Sequence, residues 1–145
     1  MHKIFKVQKG FTFLEIIAII AIIGIMVAIA VSRIGSTDTY AIIGELDKVT
    51  SHLRYAQGRA LRTDSPWGIR FASANTYFLF QNAVANPIMI PGEEQNQINL
   101  SKLTIDSATP LTITFDRFGS PGAANITIAT SGGNITVTAN TGFIP

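Results

Sequence analysis

Lys9-Gly10-Phe11-Thr12-Phe13-Leu14-Glu15 is the stretch on which the reading of this chain turns. It joins a short basic segment, Met1 to Gly10 with Lys3, Lys6 and Lys9, to a run from Phe11 to Val31 that is apolar almost throughout. The run has 21 residues and one charge, Glu15. About 20 apolar residues are enough to cross a bilayer as a helix. The lysines all precede the run, so the positive-inside rule keeps the N-terminal segment in the cytoplasm and exports the chain beyond the run.

Glu15 separates two interpretations. A secretory signal peptide is also short, basic and apolar, and Ala28-Ile29-Ala30 offers it a small-x-small cleavage site before Val31. A carboxylate deep in lipid costs ~2–3 kcal/mol, however, and a signal peptide gains nothing from one. An acid within a membrane segment is a functional candidate that requires a partner.

The order of basic leader, Gly10, Phe11, Glu15 and apolar run resembles the processing motif of type IV prepilins and type II secretion pseudopilins. The resemblance implies that a prepilin peptidase cuts after Gly10 on the cytoplasmic face and methylates the new N-terminal Phe11. It also implies that Glu15 docks the subunit into a growing filament. Elementary electrostatics agrees with that role. Cleavage frees an amine on Phe11, and Glu15 of one subunit can pair with the amine of a neighbour in a low-dielectric core. Removing one member would leave an uncompensated buried charge. The chain departs from the family pattern in one respect: Val31-Ser32-Arg33, at the end of the run, has no proline. The helix is expected to be straighter, or to loosen at Gly24 or Gly35, since glycine weakens a helix interior by ~1 kcal/mol.

Beyond Tyr40 the pattern becomes amphipathic. Ile42, Leu46, Val49, Leu53, Ala56 and Ala60 recur at spacings of three and four, the stripe of a helix packed on one side. Glu45, Asp47, Lys48, Arg54, Arg59 and Arg62 fall mostly off it. Packing against the rest of the domain is the commoner use of such a stripe; a coiled-coil surface is the alternative. Ser36-Thr37-Asp38 marks a break or a fresh N-cap between the halves. Without interruption, the helix from Phe11 to Arg62 would run ~78 Å.

Pro66 ends the helical region. Trp67 to Phe71 alternates as a half-buried strand does, and Thr76 to Gln81 is a second strand. Pro87 to Gln97 reads as a loop, Ile98 to Ile105 as a weaker strand, and Leu111 to Phe115 as a clear one. Ile126 to Ala129 and Ile135 to Thr138 form a hairpin about Ser131-Gly132-Gly133-Asn134. A long helix followed by antiparallel strands is an α+β architecture. The expected organisation is a leader over 1–10, a transmembrane and assembly helix over 11–35, an amphipathic helix over 36–62, and a β-rich head over 63–145.

Two stretches sharpen the resemblance. Leu53-Arg-Tyr-Ala-Gln-Gly-Arg-Ala-Leu-Arg62, followed by Trp67 to Phe71, looks like the helix-to-strand junction of minor pilins and pseudopilins of the GspH/FimT type. Ile113-Thr-Phe-Asp-Arg-Phe-Gly119 looks like their Phe-x-x-x-Gly stretch, and Gly142 sits where a late glycine is usual. The resemblance implies partners: other pilins or pseudopilins, the prepilin peptidase, an inner-membrane assembly platform and membrane lipid. It implies a bacterial inner-membrane location, single-pass, with the head exported and then carried in a pilus or pseudopilus. Some FimT-type relatives bind DNA through basic residues near the C-terminus. Here Phe118 to Pro145 contains no Lys or Arg, which speaks against DNA as a partner.

Composition removes other chemistries. There is no cysteine, so disulfides, thiolate zinc sites and thiol catalysis are excluded. The formal charge of +2 comes from the leader: without Lys3, Lys6 and Lys9, 8 basic side chains face 9 acidic ones, a balance of −1. His52 is the one histidine outside the leader and reads as partly packed or exposed, not as a metal ligand. The cluster Arg54, Arg59, Arg62 and Arg70 reads as a solvated face paired with Asp47 or Asp64 more readily than as a phosphate patch. Glu93-Glu94 supplies oxygen donors of the kind calcium takes, against the plainer reading of a solvated acidic loop. Trp67 reads as a core or junction residue. No catalytic constellation and no cofactor are expected. The sequence thus describes a non-enzymatic filament subunit, with a minor GspH/FimT-like role favoured over a major pilin. A DNA-binding competence pilin and a secreted domain with a cleavable signal are the remaining alternatives.

Overall fold

The computed structural model describes residues 11–33 and 37–145. The expected leader with Gly10, and the expected weak point at Gly35, lie outside them. The chain divides into two compact units, Met1–Thr37 and Asp38–Pro145.

The first unit contributes helix α1, Phe13–Arg33. Its 21 residues span ~32 Å at 1.5 Å per residue, matching a hydrocarbon core of ~30 Å. The stretch Phe13–Val31 is long and apolar enough to cross a membrane, and none of it is buried inside the protein. Gly24 lies in the middle of α1 with open space where a Cβ would be, and the helix runs on through it. The expected loosening does not occur at that position.

The second unit opens with helix α2, Thr37–Thr63, and continues with β1 Trp67–Ser73, β2 Thr76–Gln81, β3 Pro87–Ile88, β4 Gln97–Asn99, β5 Leu111–Phe115, β6 Ile126–Thr130 and β7 Gly133–Val137. The apolar stripe of α2 does what its spacing predicts. Val49, Leu53, Ala56 and Ala60 are fully buried, and Ile42 and Leu46 pack at the margin of the same core. At the C-terminal end, Asp64 adopts a left-handed conformation at φ 50°. That turn and Pro66 stop the helix and start β1.

The larger sheet has the order β3-β2-β1-β5, all antiparallel, and β4 also pairs with β2. β1 is its centre, with Ile69 facing Leu79 on one side and Ile113 on the other. Gly68 is required there: a Cβ would overlap the Ile113 carbonyl and the ring of Phe80. The smaller sheet is the hairpin β6-β7, joined to the rest by a bridge between Ile105 and Thr130. Ile128, Ile135 and Val137 from this hairpin enter the same core as α2 and the larger sheet.

Two strand boundaries differ from the sequence reading. The stretch expected to be a loop, 87–97, contributes β3, because Pro87 and Ile88 find the free edge of β2 opposite Phe80 and Leu79. A proline suits an edge position, where it owes no inner hydrogen bond. The expected strand 98–105 shrinks to β4 and the isolated bridge at Ile105, because the chain between them follows side chains of α2 instead of a neighbouring strand.

Candidate functional site

The chemistry of the N-terminal unit sits in its first turn. Thr12 precedes α1, and its Oγ1 accepts a hydrogen bond from the Glu15 N–H at 3.3 Å while its carbonyl accepts from the same N–H at 3.0 Å. Thr12 is therefore an N-cap, satisfying a donor that a helix start would otherwise leave unpaired. The Thr12-Phe13-Leu14-Glu15 spacing is that of a capping box, a local signal that sequence reasoning missed beside the louder one of the charge. Glu15 also lies in the first turn, where the helix dipole favours an anion. Phe11 stands just ahead of the cap and is exposed, as are Phe13 and Leu14. Phe11, Thr12 and Glu15 thus form one short motif at the helix start, and its other expected member, Gly10, falls outside the described residues.

In the second unit, part of the polar side of α2 is tied to the head, while Asp47 and Arg62 remain exposed. Glu45 reaches the segment after β4 and accepts from Ser101 N at 2.9 Å, Ser101 Oγ at 2.6 Å, Lys102 N at 3.0 Å and Leu103 N at 2.7 Å. Partial burial would raise its pKa, but these four bonds outweigh burial and bring it down to about 2. Asp38, in the first turn of α2, pairs with Lys102 at 2.8 Å. Gln57 donates to the Gly119 carbonyl at 3.1 Å and to the Thr141 carbonyl at 3.0 Å, tying two loops to the helix. Gly142 belongs to this junction: its φ is 65°, and a Cβ would overlap the Gly119 carbonyl and the Gln57 amide.

Three of the four clustered arginines have partners, and not the acids the sequence suggested, while Arg62 is exposed as expected. Arg54 donates to the carbonyls of Ile144 and Pro145. Arg59 lies 4.8 Å above the Trp67 ring, whose Nε1 donates to Thr63 Oγ1 at 2.7 Å. Arg70 donates to Thr112 Oγ1 at 2.9 Å, and Asp64 pairs with Arg117 at 3.9 Å. Trp67 is buried at the helix-to-strand junction, as expected.

Glu93 corrects the reading of a solvated acidic loop. It pairs with Lys48 at 2.8 Å and faces His52 Nε2 at 3.6 Å, with 19% of its side chain exposed. His52 Nδ1 meets the Tyr77 hydroxyl at 2.9 Å. Burial lowers the His52 pKa and Lys48 lowers it further, against the opposing charge of Glu93. Burial, then Glu93 and Glu45, raise that of Tyr77. Both shifts favour the uncharged form of each ring, so the contact joins a phenol and an imidazole whose tautomer sets which of them donates. The sequence carried no local signal for this group or for Glu45 and Gln57, because their partners lie dozens of residues away. Among the described residues no group of three or more acidic or histidine side chains is placed to hold a metal ion.

Known proteins match both parts. Residues 45–142 match the family model of the type II transport protein GspH. Residues 5–31 match that of the prokaryotic N-terminal methylation motif. Among solved structures, the type IV minor pilin FimU of Pseudomonas aeruginosa strain PAO1 is similar at a TM-score of 0.51. It is 17% identical, with 68% of this chain and 86% of that chain covered, a likeness of fold. No curated protein matches the chain.

Proposed function

This chain belongs to the GspH family of type II transport proteins, and from that premise we propose that it is a minor, non-enzymatic subunit of a type II secretion pseudopilus or type IV pilus. Family membership and the methylation motif support a pilus or pseudopilus subunit. The minor role, the processing site and the docking acid are our reading.

In that reading prepilin peptidase cleaves between Gly10 and Phe11 and methylates Phe11. α1 is held in the inner membrane, with the head exported, until the subunit is extracted by an assembly platform into the filament. The observation that carries it is a capped, wholly exposed apolar helix beginning two residues past the cleavage point, ahead of a GspH head. An apolar helix surface moving from lipid to neighbouring helices gains little hydrophobic free energy, so register must come from a polar contact. Glu15 supplies it by pairing with the Phe11 amine of a neighbouring subunit. A signal-peptide alternative fits less well, because 28–31 lie inside α1 and not in an extended cleavage segment. A DNA role also finds little support: Arg54, the basic side chain beside the C-terminal residues, is already bound by their carbonyls.

The test is the intact mass and N-terminal sequence of the protein taken from its native membrane. A methylated Phe11 at the N-terminus is expected. A chain starting at Val31 would overturn the proposal, since it would lack Glu15 and most of α1.

A further inference from the structure

The outer edge of β7 is the open edge of the smaller sheet. On the opposite side of the hairpin, the Ala129 carbonyl turns away from β7 and accepts from Asp106 N at 2.8 Å and Ser107 N at 3.2 Å. The Ala129 N–H points the same way and donates to Ser107 Oγ at 2.8 Å. Residues opposite one another in an antiparallel ladder either exchange their backbone bonds or both turn them outward. Asn134 faces Ala129, and Thr136 faces Thr127. The backbone N–H and C=O groups of Asn134 and Thr136 therefore point outward from β7.

Thr138, next in this outward series, shows what the edge does when backbone is available. It donates to the Phe143 carbonyl at 2.8 Å and accepts from Gly142 N at 2.9 Å. The chain then leaves the strand, and its last carbonyls go to Arg54. Asn134 is exposed and Thr136 half-buried, and neither has a backbone partner on this side among the described residues. The strand lacks the sequence devices that protect an open edge: Gly133-Asn-Ile-Thr-Val137 contains no Lys, no Pro and no bulge.

These groups line a groove of about 450 Å³ whose far wall is α2, with Asp47, Ser51 and Arg54, and which Pro145 borders. Asp47 has no ion pair among the described residues, whereas Arg54 is bound by carbonyls. The carbonyls occupy the Arg54 donors without cancelling its charge, so the groove carries one charged side chain of each sign, and Asp47 is the one still open to a partner of opposite charge.

We propose that this groove binds an extended polypeptide segment carrying a basic side chain, which adds to β7 as a strand. Asn134 and Thr136 present two donors and two acceptors over ~7 Å, a spacing that an extended backbone matches and a helix does not. The basic side chain meets Asp47. The inference holds whichever filament the subunit serves, because it rests on the head alone.

The probe is an end-blocked peptide of alternating Thr and Lys, titrated into the isotope-labelled full chain in detergent micelles. Saturable shifts are expected at the Asn134 and Thr136 amides, with their hydrogen exchange slowed about tenfold or more. Asp47→Lys, a change on the exposed side of α2, should weaken binding about tenfold, as should replacing each Lys of the peptide by Glu. Thr136→Pro removes one outward donor and should weaken both peptides' residual binding alike. Equal binding of the Lys and Glu peptides, shifts confined to other surfaces, or no shift at millimolar peptide would each overturn the proposal.

Discussion

The two helices of this chain solve opposite problems. α1 is apolar around most of its circumference, and no part of its apolar stretch is buried inside the protein. α2 carries one apolar stripe, and its polar side chains reach loops of its own head: Glu45 to 101–103, Lys48 to Glu93, Gln57 to Gly119 and Thr141, Arg54 to Ile144. A helix dressed by its own domain must be amphipathic and full of specific polar contacts. A helix dressed by lipid and by neighbouring subunits needs uniform apolarity and one well-placed charge. The contrast teaches that the same element can be specified inwardly or outwardly, and that the positions of the polar residues tell which.

Glu15 should break the comparison most severely. Glu15→Ala removes a charge from the apolar helix, so membrane insertion should be unimpaired. Incorporation into filaments should fall about a hundredfold, the equivalent of losing ~2–3 kcal/mol of docking free energy. Comparison of membrane-bound and filament-bound protein in cells carrying the variant checks this. Normal incorporation would leave α1 with no specific contact at all.

The next test places one truncation in each helix. Leu53 is fully buried against the head, so Leu53→Ala should lower the unfolding free energy of the head by ~2–5 kcal/mol. Ile20 is exposed on α1, and Ile20→Ala should leave head unfolding unchanged within ~0.5 kcal/mol. Denaturant unfolding of the two variants in micelles, followed by Trp67 fluorescence, separates the helices. Equal losses would mean that α1 contributes to the fold of the head.

Glu45 sharpens the picture of α2 by pH. Its pKa falls from an ordinary 4.5 to about 2 in the folded chain, because its four hydrogen bonds outweigh burial. A carboxylate lowered on folding stabilises the fold above its unfolded pKa and loses that contribution as pH falls through the folded value. Stability of the head should therefore drop between about pH 4.5 and 2, and Glu45→Gln should remove part of that drop. The glutamate is only partly buried, so solvent screening keeps the cost of Glu45→Gln at neutral pH to ~1 kcal/mol. Acid titrations of both proteins, read by the same fluorescence, give the difference directly. Identical acid transitions would show that the contacts to 101–103 contribute nothing to folding.

Legibility in the sequence divides along the same line. The apolar run, the stripe from Ile42 to Ala60 and the alternating strands β1, β2 and β5 are periodic and local, so each can be read without its partners. β3 cannot, because Pro87-Ile88 becomes a strand only when the edge of β2 is beside it. Glu45, Gln57 and Glu93 look like solvent-facing polar residues in sequence, since nothing within a few positions reveals a contact as distant as that of Gln57 with Thr141, 84 residues on. In the N-terminal motif, processing and charge are the strong signals, and they mask the capping geometry of Thr12. Family membership was therefore more legible than the head's internal wiring: the outward helix carries its signal in composition, and the inward helix shows its contacts only in three dimensions.

Thr12 tests whether the start of α1 is as specified as its charge. Its Oγ1 and carbonyl both accept from the Glu15 N–H, which fixes the backbone of the first turn one residue before the apolar helix begins. Thr12→Ala removes the side-chain acceptor and should cost ~1 kcal/mol of local helix stability, with Thr12→Ser restoring it. Hydrogen exchange at the Phe13 to Ile16 amides in micelles should accelerate several-fold in the alanine variant and return to normal in the serine variant, while the amides of α2 are unchanged. Head stability should not move. If the cap serves only to start the helix, filament incorporation will track the exchange rates and recover with serine. If incorporation falls in both variants, Thr12 must meet a neighbouring subunit through its methyl group, and the outward-facing specification of α1 would extend beyond Glu15. Unchanged exchange in the alanine variant would instead mean that the Thr12 carbonyl alone holds the turn, leaving Glu15 as the polar determinant at the start of this helix.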